Sequence, residues 1–202
     1  MNTLPALFGT GLGLAAGAGL NAYAVLLVYG AMARFFPENY PGAAERALAS
    51  TPVLIAVGIL FLLEFLVDKV PGLDHFWDIL HSFVRPLAGA FLAVAVVQPH
   101  AGSPLTIVAG GAGGVTALAA HLLKTATRVT STALTAGVAN VALSLAEDIL
   151  AFLQALVSIF LPFVALVVVA GLACLFLVTV PRIARSVDLF GRRRGPRRPV
   201  SP

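Results

Sequence analysis

Residues 137–180 read GVANVALSLAEDILAFLQALVSIFLPFVALVVVAGLACLFLVTV, and within them only Glu147 and Asp148 are charged. As one helix this run would extend roughly 66 Å, about twice the hydrocarbon thickness of a bilayer. It must therefore turn back, and Pro162 is the natural place. The run predicts one span near 138–159 and another near 162–181. Asn140, Ser144, Glu147, Gln154 and Ser158 fall on one face of the first. A polar stripe along a membrane helix belongs in the bundle interior. The same class follows from composition. A soluble domain carries about a quarter charged residues. Here 11% of 202 residues are charged, 59% are hydrophobic and the mean hydropathy is +0.96. The expected fold is an all-α integral membrane protein of about six transmembrane helices. It is expected to form one domain over 1–181, with a basic, disordered cytoplasmic tail at 182–202.

The preceding chain divides in the same manner. Leu4 to Phe36 reads as the first span, with Gly9, Gly13 and Gly17 on one face for close helix packing. Asn21 sits in the middle of that run, where the glycines predict a kink or break. Pro52 to Val67 is the second span. It ends in Glu64 and Asp68, and Pro71-Gly72 stops the helix. Leu73 to Val84 then reads as a short amphipathic or re-entrant helix. Asp74, Asp78, His81 and Arg85 form one stripe of it. Pro86 opens a third span and Leu105 a fourth. The fourth carries His121, Lys124 and Arg128 on one face. The hydroxyl-rich stretch Thr125–Thr135 reads as a loop.

Charge sets the expected orientation. The tail from Arg182 holds seven arginines and one acid, and the rest of the chain six bases and eight acids. With both termini cytoplasmic, Lys69, Arg85, Lys124, Arg128 and the tail arginines lie inside, and Arg34 and Arg46 outside. The positive-inside rule favours that arrangement in a bacterial inner membrane. The basic tail then contacts lipid headgroups, not nucleic acid. The start of the chain lacks signal-peptide features, so the first span directs insertion. Residues 4–98 and 103–181 have similar outlines: a Gly-rich span, a span with an internal Glu, and a span opened by Pro. This suggests a 3+3 inverted repeat. Cys174, the lone cysteine, reads as a small packing residue. The glycine faces suggest a homo-oligomer.

Two groups of residues carry the candidate chemistry. Asn21, Glu64, Asp68, Glu147 and Asp148 form a candidate ion or substrate pathway. Lys69, Asp74, Asp78, His81, Arg85, His121, Lys124 and Arg128 form a cytoplasmic gate or an ion-pair network that fixes helix ends. Glu147 reads either as a coupling carboxylate facing Asn21 and Glu64, or as the partner of Lys124 or Arg128. Asp74, His75, Asp78 and His81 are the candidates for a metal. No Gly-x-Ser-x-Gly, His-Glu-x-x-His or Walker loop occurs, and Ser82 beside His81 is the wrong relation for a helical dyad. An enzyme is not expected, nor is a cofactor.

The runs Ala18–Tyr23, Glu64–His75, Val84–Gly89, Lys124–Arg128 and Glu147-Asp148 resemble a bacterial membrane family, domain of unknown function 4126. The resemblance covers about residues 4–180. It implies a compact multi-span membrane protein and supplies no activity. The residues themselves point to a small transporter or channel-like protein for a cation, a proton or a small solute. A lipid translocator or headgroup binder, and a non-transporting scaffold subunit, are the alternatives.

Overall fold

The computed structural model describes residues 3–69 and 73–193, without the side chains of 73–76, 180–181 and 183–193. Its regular structure is helical. In order come α1 (Leu4–Leu20), α2 (Ala22–Phe35), the short α3 (Ala43–Leu48), α4 (Thr51–Val67), α5 (Leu73–Val97), α6 (Ser103–Thr135), α7 (Asn140–Phe160) and α8 (Pro162–Arg193). Among the described residues four stretches are long and apolar enough to cross a membrane: Trp77–Val97, Ser103–Thr135, Asn140–Phe160 and Pro162–Thr179. α1, α2 and α4 are apolar but shorter. The protein is all-α and membrane-embedded.

The first expected span is two helices, not one. α1 ends where Asn21 adopts an extended conformation (φ −147°, ψ 106°), and α2 begins at the next residue. The two fold back on each other. Leu7 and Thr10 from the start of α1 share a cavity with Tyr29, Met32 and Phe36 at the end of α2. Asn21 is therefore the tip of a helical hairpin. Its tip lies at the end of the bundle that holds the charged residues, and its open end lies at the other, the cavity end.

α1 is the centre of the bundle and packs against α5, α6, α7 and α8. It is apolar all round, as a fully surrounded helix should be. Its small residues make this contact possible. A Cβ at Gly9 would run into the Pro162 carbonyl, and one at Gly13 into Ser158 and Ala165. On the other side Gly19 sits directly on Ala117 and Ala120 of α6. The face predicted from Gly9, Gly13 and Gly17 thus packs on α7 and α8.

Other boundaries differ from the sequence reading for physical reasons. The stretch after Leu73 is not a separate short helix, because α5 runs through Pro86 to Val97. Asp78, His81 and Arg85 before the proline, and Leu92, Ala93 and Val96 after it, are all buried and hold one continuous helix. α6 continues to Thr135. Three of its hydroxyls bond back within the helix: Thr127 donates to the Lys124 carbonyl (2.7 Å), Thr130 to Ala126 (2.9 Å) and Thr135 to Ser131 (2.8 Å). α8 runs on to Arg193, so the first part of the basic tail is helical. The Pro71-Gly72 break lies outside the described residues. Cys174 is exposed, so it fills no packing role in the core.

The order of contacts fixes the path of the chain. α1 and α8 both start at the cavity end, with Gly9 against Pro162 and Gly13 against Ala165. α8 then runs toward the charged end. The start of α1 and the end of α8 consequently lie at opposite ends, where the six-span reading put both termini on one side. Residues 4–98 contain four of the longer helices and 103–181 contain three, so the count is not three plus three.

Candidate functional site

The break at Asn21 frees backbone groups in the interior, and side chains meet three of them. The Asn21 carboxamide oxygen accepts from the Ala24 amide (2.9 Å) and so caps α2. Its nitrogen donates to Asp148 Oδ1 (2.8 Å). At the end of α1, the Leu20 carbonyl accepts from Lys124 Nζ (2.9 Å) and the Gly19 carbonyl from Arg85 Nη1 (3.4 Å). Cations thus meet the negative end of the α1 dipole, and an anion stands at the start of α2. This is the electrostatics of a discontinuous membrane helix.

From these contacts a buried charge network spreads across four helices. Glu64 of α4 and Arg85 of α5, both wholly buried, pair at 2.7 Å. Arg128 of α6 binds both Glu147 of α7 (2.7 Å) and Asp68 (2.8 Å). Lys124 reaches the same two carboxylates at 3.2 and 3.4 Å. Asp78 stands between Arg85 and Arg128, 3.8 Å from each. Lys69 lies 3.6 Å from Asp148, donates to the Phe65 carbonyl (2.9 Å) and sits 3.2 Å from the Phe65 ring centroid. Glu64 is twelve residues along α4 from Pro52, or roughly 18 Å from the cavity end. The network therefore begins near the middle of the bundle and extends to its charged end.

The two histidines of the network, His81 and His121, have assignable tautomers. Arg85 can only donate, so His121 Nδ1, 2.6 Å from Arg85 Nη1, accepts. His121 is then neutral, and its Nε2–H donates to Ser82 Oγ (2.9 Å), which itself donates to the Asp78 carbonyl (3.0 Å). The Ser82–His121 pair resembles a hydrolytic dyad in distance alone. The proton runs from imidazole to hydroxyl, the wrong direction for a general base. His81 Nδ1–H donates to the Trp77 carbonyl (2.9 Å). Its Nε2 has no hydrogen-bond partner and faces Glu64 Oε1 at 3.9 Å. The Tyr23 ring packs edge-on against His81.

The structure brings Asn21, Glu64, Asp68, Lys69, Asp78, His81, Arg85, His121, Lys124, Arg128, Glu147 and Asp148 into this one assembly. Asp148, not Glu147, makes the contact to Asn21. Glu147 pairs with Lys124 and Arg128. The side chains of Asp74 and His75 lie outside the described residues. Among the described residues no group of three or more His, Cys, Asp or Glu is placed to hold a metal. Asp78 and His81 are instead engaged with Arg85, Arg128 and the Trp77 carbonyl.

A second feature has no counterpart in the sequence reading. At the cavity end lies a space of about 420 Å³, lined in part by Tyr29, Phe36, Tyr40, Glu45 and His100. Glu45, from α3, is buried, and its Oε1 accepts from the Tyr29 hydroxyl (3.0 Å). Burial, and next the Glu45 carboxylate, raise the pKa of Tyr40 in the adjoining loop. Arg34 and Arg46 do not neutralise Glu45. They donate to the carbonyls of Ala49 and Pro41. Glu45 sits in the connection between α2 and α4, and only its nearness to the tyrosines in three dimensions marks it.

Fold and site together define a membrane-embedded helical bundle with a central broken helix clamped by a buried ion-pair network. The family described as "Domain of unknown function (DUF4126)" matches residues 8–182, and the chain belongs to that family. No curated protein and no solved structure matches it.

Proposed function

We propose that the protein is a small transporter or channel-like protein for a cation, a proton or a small solute, and that the buried network is its closed gate. One observation carries this reading. Five buried or nearly buried carboxylates (Glu64, Asp68, Asp78, Glu147, Asp148) face four cations (Lys69, Arg85, Lys124, Arg128) at a helix break among the described residues. Charge placed within a membrane bundle is costly and is usually tied to a pathway. The ratio leaves one negative charge over when both histidines are neutral. A proton or a cation balances it, and the unpartnered Nε2 of His81 beside Glu64 is a ready proton acceptor. The excess of Lys and Arg at this end supports placing it on the cytoplasmic side of an inner membrane.

Flux in proteoliposomes tests the reading. The purified protein is reconstituted with trapped pyranine, and proton entry is followed under a potassium–valinomycin potential. Wild-type vesicles should acidify faster than empty ones. Glu147→Gln, which weakens the hold on Lys124 and Arg128, should change that rate strongly. Rates equal to empty vesicles for both proteins would remove proton conduction. A wild-type rate in Glu147→Gln would remove the role of Glu147.

The sealed Glu64–Arg85 pair favours one second reading, a non-transporting scaffold whose charges only lock helices together. In that case Glu147→Gln lowers thermal stability and changes no flux.

A further inference from the structure

The cavity at the end away from the network contains an unusual electrostatic arrangement. Glu45 is 2% exposed, and its Oε2 has no hydrogen-bond partner. Its other oxygen is engaged by a neutral hydroxyl, that of Tyr29. Among the described residues no lysine, arginine or histidine forms an ion pair with it. The two nearby arginines are turned to backbone carbonyls, as described above. A buried carboxylate without a cation is a high-energy arrangement. Every buried carboxylate of the network, by contrast, lies within 4 Å of a lysine, an arginine or both.

The surroundings specify what kind of cation would fit. Tyr29 and Tyr40 pack edge to face at 5.4 Å between centroids, and Phe36 completes an aromatic wall. Aromatic rings attract cations that have shed water, and organic ammonium groups shed it most readily. Leu7, Val96, Ile159 and Phe160 add an apolar lining for attached carbon. A hard metal ion would instead call for several oxygen ligands. At about 420 Å³ the cavity lies within the range of small-molecule sites.

We infer that this cavity binds an alkylammonium group, with Glu45 as counter-ion and Tyr29, Phe36 and Tyr40 as the aromatic wall. The ammonium can belong to a free small amine or to the headgroup of an aminophospholipid. The inference goes beyond the proposed transport activity and is tested by binding alone, so either can fail without the other.

The test is calorimetric titration of the full-length protein in detergent with ethylammonium chloride, against sodium chloride at equal ionic strength. Saturable ethylammonium binding is expected, with sodium giving none. Glu45→Gln should weaken it about tenfold or more, since the counter-ion is lost. Phe36→Leu removes an exposed ring, leaves the carboxylate and should weaken binding by a few-fold. It keeps the test decisive should Glu45→Gln fail to fold. Absence of saturation in the wild type, or equal affinity in both variants, would overturn the inference. A second arm uses nanodiscs. Competition by phosphatidylethanolamine and not by phosphatidylglycerol assigns the site to a lipid headgroup, and unchanged ethylammonium binding in both assigns it to a free amine.

Discussion

Asn21 and Arg85 show how single side chains hold this structure. Arg85 has no route to water and divides its donors among Glu64, His121 and the Gly19 carbonyl. Replacing it with methionine leaves Glu64 buried and unpaired. A loss of about 3–5 kcal/mol is expected, read as a fall in the thermal unfolding midpoint in detergent. The double variant Glu64→Leu with Arg85→Met removes both charges and should recover much of that loss. Recovery of nothing would mean that the bonds to His121 and Gly19 dominate. At Asn21, serine can keep the cap on Ala24, so Asn21→Ser should be mild. Asn21→Asp also keeps a cap but sets a second carboxylate against Asp148. It should be less stable than Asn21→Ser by about 1–3 kcal/mol, measured in the same assay. Much of this chemistry was legible in the sequence, because charge inside an apolar run has few explanations. The partners were less so. Glu147 and Asp148 are adjacent and about 100° apart on the helix, and periodicity alone does not say which of the two faces Asn21. Glu45 gave no signal at all, since its burial depends on Tyr29 and on the two arginines turning elsewhere.

Helix contacts explain which element boundaries the sequence reading recovered. α7 and α8 were recoverable because Pro162 divides an apolar run too long for one crossing. Pro86 has the same composition signal and the opposite outcome. A proline can sit inside a helix where packing on both sides holds the axis, and that packing is not local information. Close packing between α5 and α6 gives a sharper test. A Cβ at Gly113 would stand 2.6 Å from both the Gly89 carbonyl oxygen and the Ala93 side chain. At Gly111, two residues earlier, nothing lies within 4 Å. Gly113→Ala should therefore cost about 1–3 kcal/mol through overpacking. Gly111→Ala should be neutral or stabilising by up to about 1 kcal/mol, from helix propensity. Equal effects of the two substitutions on the unfolding midpoint would contradict the α5–α6 interface described here.

The path of the whole chain turns on the hairpin at Asn21. No charged residue precedes Arg34, so the positive-inside rule has almost no hold on the first segment. A single span over Leu4–Phe36 and a hairpin over the same residues satisfy the charge count equally well. They differ in where the chain begins. A single span puts Thr3 across the membrane from Glu38, and the hairpin puts both on one side. All other connecting segments keep the same side in either arrangement. His100 stays with Glu38, and Thr135 stays at the charged end. Single cysteines at Thr3, Glu38, His100 and Thr135, in a Cys174→Ser background, separate the two with a membrane-impermeant maleimide on intact cells and inverted vesicles. All four positions are exposed at helix ends or in connections. Thr3→Cys, Glu38→Cys and His100→Cys should label from one side and Thr135→Cys from the other. Labelling of Thr3→Cys together with Thr135→Cys would mean that α1 and α2 cross as one helix. In that event Asn21 could not be the tip of a hairpin. Arg85 and Lys124 would then have no freed carbonyls to clamp at the end of α1.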